Sequence, residues 1–220
     1  PILYNGKLWG VVFEMPYVIL DCSTSLNGRF DSEKSDFQNN LNAYRVQKLR
    51  GSVDAIITSV ERIRAKNPEF KVSDPSSGKP RIFIIDKNAE TPVDAKLFKS
   101  CGKVTVVVSK SVKKSNLDRI KEACDVEVLL YGEVAVNITE ILPELKKRGF
   151  AKILVEGDPI LNTRFLNNNL VSELYVMLAP SMISSGETVF TEHLKTDVGL
   201  KLEGITQYGD SIVLHYLVKK

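Results

Sequence analysis

Short apolar runs alternate with amphipathic stretches along most of the chain, and that alternation is the main structural signal. Tyr17-Val18-Ile19-Leu20 is continuously apolar, as a strand buried on both faces requires. From Ser35 the period changes. Phe37, Leu41, Tyr44 and Lys48-Leu49 share one helical face, with Ser35 or Asp36 placed to cap it and Gly51 to end it. Asp54-Ala55-Ile56-Ile57 reads as a second strand, followed by a short helix from Val60 to Lys66 that Asn67-Pro68 stops. Beyond the loop Asp74-Pro75-Ser76-Ser77-Gly78 come strands at Arg81–Asp86 and Val104–Val108. Ser115 is expected to cap a helix running to Glu122, ahead of a strand at Val126–Leu130. A helix from about Thr139 holds Pro143 in its first turn and ends at Gly149, whose missing Cβ suits a left-handed terminus. A strand at Ile153–Val155, a helix from Pro159 to about Asn168 and a strand at Leu174–Leu178 follow. Two β runs, Leu200–Tyr208 and Ser211–Val218, then meet at Gly209-Asp210 as a hairpin.

Apolar strands alternating with amphipathic helices predict an α/β fold, a mostly parallel sheet covered on both faces. The last hairpin adds antiparallel strands, so the sheet is mixed. No linker, repeat or low-complexity tract divides residues 1–220, which read as one domain. The first fifteen residues form an appended hairpin around Asn5-Gly6, an Asn-Gly pair between apolar residues.

Composition narrows the class without naming a chemistry. With 43% hydrophobic and 26% charged residues the chain is globular, and no stretch approaches the roughly 18–20 apolar residues of a membrane helix. The start carries no signal-peptide pattern, so a cytoplasmic location is expected. Thirty basic against 27 acidic residues leave +3, too little bias to argue nucleic-acid binding. Cys22, Cys101 and Cys124 are odd in number and widely spaced, so they read as buried free thiols in a reducing compartment. With only His193 and His215, no His-rich metal site assembles, and no serine or cysteine nucleophile motif neighbours either. His215 reads as structural.

In an open α/β sheet, ligands sit at the carboxyl ends of the strands. Two such junctions carry suggestive chemistry. In Val155-Glu156-Gly157-Asp158-Pro159-Ile160-Leu161-Asn162 a buried strand meets a carboxylate, then a glycine, then a helix start whose free N–H groups suit a pyrophosphate. Asp158 as N-cap with Pro159 behind it is equally what a purely structural helix shows, and its charge repels phosphate. In Thr58-Ser59-Val60-Glu61-Arg62 through Lys66, Arg62 and Lys66 fall four apart, either as two cations for an anionic ligand or as a solvated basic face. Arg50 is a third candidate, because its planar fork suits bidentate phosphate contacts.

At these junctions the sequence resembles the pyrimidine reductases of riboflavin biosynthesis. Ser25-Leu26-Asn27-Gly28-Arg29 resembles that family's S-L-D-G-K turn, and Leu49-Arg50-Gly51-Ser52-Val53-Asp54-Ala55-Ile56 its L-R-x-x-x-D-A-I block, with Asn67-Pro68-Glu69-Phe70 downstream. Pro80 to Asp86 with Thr91-Pro92 resembles its central strand, and Val155-Glu156-Gly157 through Ala179-Pro180 its V-E-G-G-x-x-L-N … A-P block. The resemblance covers about Pro16 to the C-terminus.

It implies a dihydrofolate-reductase-like three-layer α/β/α fold and an NADPH-dependent reductase. The substrate would be a ribosylaminopyrimidine 5′-phosphate, reduced by hydride transfer to ribose C1′. It assigns Arg50 to the 5′-phosphate, Glu156 to the substrate side, and Phe70 to an apolar contact beside the substrate. Ser35 and Phe37 match an S-x-W pair, Ser35 toward substrate and Phe37 toward cofactor. Ser59, Arg62, Lys66 and Ser109 fall on the cofactor side, with Gly157, Asp158, Pro159, Ile160, Leu161 and Asn162 facing the pyrophosphate. Members are generally homodimers, so a homodimer is expected, with no nucleic-acid or membrane partner.

The departures cluster on the cofactor side. Asp158 and Pro159 stand for the family's second and third glycines, Ser59-Val60-Glu61-Arg62 for G-x-x-T, and Lys66 for an acidic residue. Asn27 replaces the turn aspartate, and Ser184-Ser185 a glycine pair. Two other readings therefore stay open. One is a non-catalytic homologue that binds a nucleotide or a partner protein; the other is a reductase for another substrate, such as a pterin.

Overall fold

The computed structural model describes residues 7–8, 11–12, 14–30, 40–74, 78–100, 102–190 and 194–219. In chain order, β1 (Lys7–Leu8) and β2 (Val11–Val12) pair antiparallel, Leu8 opposite Val11. Asn5-Gly6 lies outside the described residues. The apolar run after Pro16 becomes β3 (Tyr17–Ser25), longer than expected, followed by β4 (Arg29–Phe30) and α1 (Asn40–Gly51). β5 (Ala55–Ser59) feeds directly into α2 (Val60–Lys66), and β6 (Arg81–Ile85) leads to a short α3 (Leu97–Ser100). β7 (Val104–Val108), α4 (Lys114–Ala123), β8 (Val126–Leu130) and α5 (Ile138–Lys147) continue the alternation. β9 (Lys152–Val155), α6 (Pro159–Asn167), β10 (Glu173–Ala179), β11 (Glu187–Thr188), β12 (Leu200–Tyr208) and β13 (Ser211–Val218) complete the chain.

Nine strands form one sheet in the order β12-β13-β10-β3-β9-β5-β6-β7-β8. All neighbours from β10 to β8 are parallel, while β13 is antiparallel to both β10 and β12. The expected mixed sheet with a C-terminal hairpin is therefore present. α5 and α6 cover one face, where Ile141, Leu145 and Phe165 pack on Leu20, Ile57 and Val155. The other face packs Ile63 of α2, Leu97 of α3 and Ile120 of α4 on Ile56, Ile82 and Val106. Because both faces are covered, the central strands are buried along their whole length, which explains why they are continuously apolar rather than alternating.

Helix α1 departs from the expected orientation. Leu41 and Tyr44, on the supposed inward face, are 55% and 54% exposed, while Asn42, Arg45, Val46 and Arg50 are buried. The sheet beneath explains the reversal, since Asp21 on β3 and Glu156 just after β9 both point up at the helix and need cations. Exposing one large apolar side chain costs about 1.5–3 kcal/mol, whereas a buried charge without its partner costs about 3–5 kcal/mol. Pairing the two carboxylates wins, and the apolar stripe is left in water.

Smaller corrections are local. Lys113, not Ser115, is the N-cap of α4, with no side-chain cap bond, because the helix starts one residue before Ser115. Asn137 caps α5, its Oδ1 accepting from the Thr139 N–H at 3.1 Å, so Pro143 sits beyond the first turn. Gly149 does take a positive φ of 93°. Cys22 is buried and its thiol pushed up by desolvation, Cys124 is half-buried, and Cys101 lies outside the described residues. His215 stacks on Tyr175 at 4.2 Å, within the sheet as expected.

The reversed helix gives a direct expectation for stability. Leu41→Ser should leave the unfolding free energy within about 0.5 kcal/mol of wild type. Phe165→Ala, at a fully buried site, should cost about 3–5 kcal/mol. Urea denaturation of the two variants checks both values.

Candidate active site

The parallel strands end together, so Ser25, Ser59, Asp86, Ser109 and Glu156 are set along one edge of the sheet. Glu156 is pinned there through its backbone. Its N–H donates to the Ile57 carbonyl at 3.0 Å, and its carbonyl accepts from the Thr58 hydroxyl at 2.8 Å. Its side chain is 2% exposed. Arg50 reaches it from α1 as a bidentate fork, Nε to Oε1 at 2.6 Å and Nη2 to Oε2 at 2.8 Å. Arg62 of α2 adds a longer contact, Nη2 to Oε2 at 3.3 Å. Burial alone raises a carboxyl, but the Arg50 and Arg62 guanidiniums outweigh it and hold Glu156 below its usual range.

Each nitrogen of Arg50 has a partner, since its Nη1 donates to the Lys71 carbonyl at 3.3 Å. Its guanidinium lies over the Phe70 ring, 5.1 Å from the centroid. Phe70 is buried and takes a positive φ of 48°, a conformation an aromatic residue adopts only where its surroundings impose it. Arg50, Phe70 and Glu156, the three described residues expected on the substrate side, are thus brought into one cluster. Ser35 and Phe37 lie outside the described residues.

A second ion pair adjoins the first. The register Leu20↔Val155 sets Asp21 beside Glu156 on the neighbouring strand. Arg45 of α1 meets Asp21 with Nη1–Oδ1 at 2.9 Å and Nη2–Oδ2 at 3.2 Å, while its Nε donates to Asn42. Burial outweighs Arg45 here, and the Glu156 charge adds to it, so the Asp21 carboxyl is raised. Sequence reasoning missed Asp21, Arg45 and Asn42. The usable signal was a charged residue directly after the apolar run Tyr17–Leu20, since a carboxylate at a buried strand position needs a cation from the covering helix.

The cofactor-side residues are placed differently from one another. A cleft of about 130 Å³ runs between α2, β6 and the first turn of α6, lined by Ser59, Glu61, Asp86, Asp158, Ile160 and Arg164 among others. Ser59 caps α2, its Oγ accepting from the N–H of Arg62 and of Asp158, each at 3.3 Å. Asp158 caps α6, its Oδ2 accepting from the Ile160 N–H at 3.1 Å, and Pro159 contributes no N–H. Gly157 is needed for packing, because a Cβ there would come within 2.9 Å of Asn162 Oδ1 and Leu161 Cβ. Leu161 and Asn162 are buried under the turn, and Ile160 is exposed. Burial, with the Asp158 and Asp86 charges, raises the Glu61 carboxyl, so the cleft floor is electronegative. Ser109 is buried, its hydroxyl donating to the Lys87 carbonyl at 3.0 Å. Arg62 turns into the Glu156 cluster, while Lys66 sits a helical turn further on with a partner of its own. No group of His, Cys, Asp and Glu among the described residues is arranged to hold a metal ion.

Comparison with known proteins places this geometry. The model of the RibD C-terminal domain family matches residues 16–214. The "2,5-diamino-6-ribosylamino-4(3H)-pyrimidinone 5′-phosphate reductase" of Aquifex aeolicus is 29% identical over 186 residues, 81% of this chain and 82% of that protein. The RibD structure of Acinetobacter baumannii superposes with a TM-score of 0.79 at 22% identity, covering 93% of this chain. This chain spans 58% of that RibD chain. Dihydrofolate reductase from Enterococcus faecalis superposes with a TM-score of 0.51 at 10% identity, over 93% of this chain and 97% of the other. The fold is therefore dihydrofolate-reductase-like, as the sequence motifs imply.

The buried cluster has a measurable consequence for stability. Glu156→Gln leaves the buried Arg50 guanidinium and the half-buried Arg62 short of a counter-charge and should cost about 3–5 kcal/mol at neutral pH. A depressed carboxyl contributes stability that is full above the unfolded value and lost as pH falls from about 4.5 through the folded value. The raised Asp21 carboxyl acts oppositely, its cost relieved as pH falls through its own folded value. Acid titration followed by circular dichroism should show a shallower loss of stability below about pH 4.5 in Glu156→Gln than in wild type.

Proposed function

The chain belongs to the RibD C-terminal domain family, and from that premise we propose that it is a reductase of riboflavin biosynthesis. Its substrate is a ribosylaminopyrimidine 5′-phosphate, the class named for the Aquifex aeolicus relative. The observation that carries this reading is Glu156, an ionised carboxylate set at the end of a central strand by the Arg50 fork. It occupies the position that the family resemblance gives to the substrate side.

NADPH, when bound, supplies the hydride that turns the ribosyl group into a ribityl chain at C1′. The chain's own residues bind and orient. Glu156 accepts hydrogen bonds from hydroxyls of the ribosyl chain. Arg50, which the resemblance gives to the 5′-phosphate, has its fork engaged by Glu156 and acts instead as a positioning residue, holding that carboxylate ionised and in one rotamer. Phe70 closes the apolar side of the pocket beneath Arg50 and keeps water from the reacting carbon.

Two observations bear on how an anionic dinucleotide is held. The first turn of α6 suits phosphate poorly, because Asp158 takes the Ile160 N–H and Pro159 lacks one. Arg62 suits it well, since its Nε is buried without a hydrogen-bond partner among the described residues. The same Asp158 cap supports a second reading, a homologue that binds a nucleotide or a partner protein without turnover. No helix among the described residues is long and apolar enough to cross a membrane. The leading reading carries a homodimeric cytoplasmic enzyme with no nucleic-acid partner.

The purified chain should consume NADPH when given 2,5-diamino-6-ribosylamino-4(3H)-pyrimidinone 5′-phosphate. Turnover of dihydrofolate instead contradicts the substrate assignment, and nucleotide binding without turnover of either supports the second reading. Arg50→Ala and Glu156→Gln should each lower kcat/KM by at least about tenfold, worth ~1.4 kcal/mol. The double variant should fall little further, because the pair acts as one unit. Arg50→Lys should recover part of the loss.

A further inference from the structure

Glu156 is closed off from solvent. It is 2% exposed, and Arg50, itself buried, closes it with two short bonds. The remaining cover is Arg62, whose side chain is 21% exposed and whose contact with Glu156 is the longest of the three, at 3.3 Å. Arg62 is also under-used. Its Nε is buried without a hydrogen-bond partner among the described residues, although a guanidinium presents five donors.

Charge points the same way. Among the described residues, Arg45, Arg50 and Arg62 face only Asp21 and Glu156 in this layer, which leaves one positive charge in excess. Arg50 is committed to Glu156 by two hydrogen bonds, and Arg45 to Asp21 by one hydrogen bond and a 2.9 Å ion contact. The excess therefore resides on Arg62, the most accessible of the three.

We propose that Arg62 is the phosphate-binding residue of this site and that it uncovers Glu156 when a phosphorylated ligand takes its guanidinium. The guanidinium rests on Glu156 at 3.3 Å. A phosphate offers it a bidentate partner of higher charge, and turning toward it exposes the Oε2 edge of Glu156 to the substrate. This rests on the reductase reading and deepens it by assigning the anion contact to a side chain rather than to the α6 turn. The phosphate belongs either to the dinucleotide or to the pyrimidine substrate, the chemistry being shared.

Equilibrium titration of the full chain separates the two sources. NADPH is followed by nicotinamide fluorescence and ribose 5-phosphate by calorimetry, in wild type, Arg62→Gln, Arg62→Lys and the surface control Arg64→Gln. Arg62→Gln should weaken one of the two probes by at least about tenfold and flatten its salt dependence, while the other stays within about twofold. Arg62→Lys should recover part of the affinity, and Arg64→Gln should match wild type. Both probes binding Arg62→Gln as they bind wild type overturns the proposal and leaves the reductase reading standing. Equal weakening of both also overturns it, because that marks a general loss of the site. Wild type that binds neither probe removes both the proposal and the reductase reading.

Discussion

The ion pair between Arg50 and Glu156 sets the terms for everything around it. A carboxylate placed at the end of a buried parallel strand loses its water, and the interior repays that only through close, geometrically good partners. Two bonds from one planar fork meet the requirement, and they fix the rotation of α1 about its own axis. Once α1 is turned that way, Arg45 falls over Asp21, and Leu41 and Tyr44 are carried to the outside. Local hydrophobic patterning is overridden by two charges lying in the sheet. The layer between α1 and the strands is thus polar where the opposite layer, under α5 and α6, is a conventional apolar core.

Most of the architecture could be read from residue order. The bounds of the two last strands and of α2 agree with the residues expected for them, because Gly209-Asp210 and Asn67-Pro68 are strong local stops. What could not be read came from contacts distant in sequence. The orientation of α1 depends on Asp21 and Glu156, one before the helix and one about a hundred residues after it, and no window of periodicity contains them. The length of β3 beyond Leu20 depends on pairing with β10, which shelters polar residues such as Ser23 and Thr24 in a ladder. At the site, motif matching found Arg50, Phe70 and Glu156, which the fold gathers into one cluster. It did not find Asp21 and Arg45, because their roles are set by the neighbours they acquire on folding.

The two halves of the strand-end region differ in their physics. Around Arg50 and Glu156, cations exceed anions among the described residues and the carboxylate is held ionised. On the side of the α6 turn, Asp158 and Glu61 make the cleft electronegative, and the Ser59 hydroxyl is consumed in tying α2 to the loop before α6. That tie stiffens the junction of β5, α2 and α6. Arg62 projects between the two halves, and Lys87 and Arg164 line the cleft beyond it. A glycine-rich turn would offer an anionic ligand its backbone N–H groups, whereas here Asp158 takes one of them and Pro159 has none.

The site as described requires Glu156 to be a buried carboxylate kept ionised by its arginine partners. That requirement is tested most directly by titrating the Glu156 carboxyl carbon by NMR in the ligand-free protein. The account expects a midpoint below the ordinary 4.5, moving upward in Arg50→Lys as the fork is lost. A midpoint above 4.5 in the wild-type chain would show that burial dominates and that the fork does not govern the site, contradicting the account.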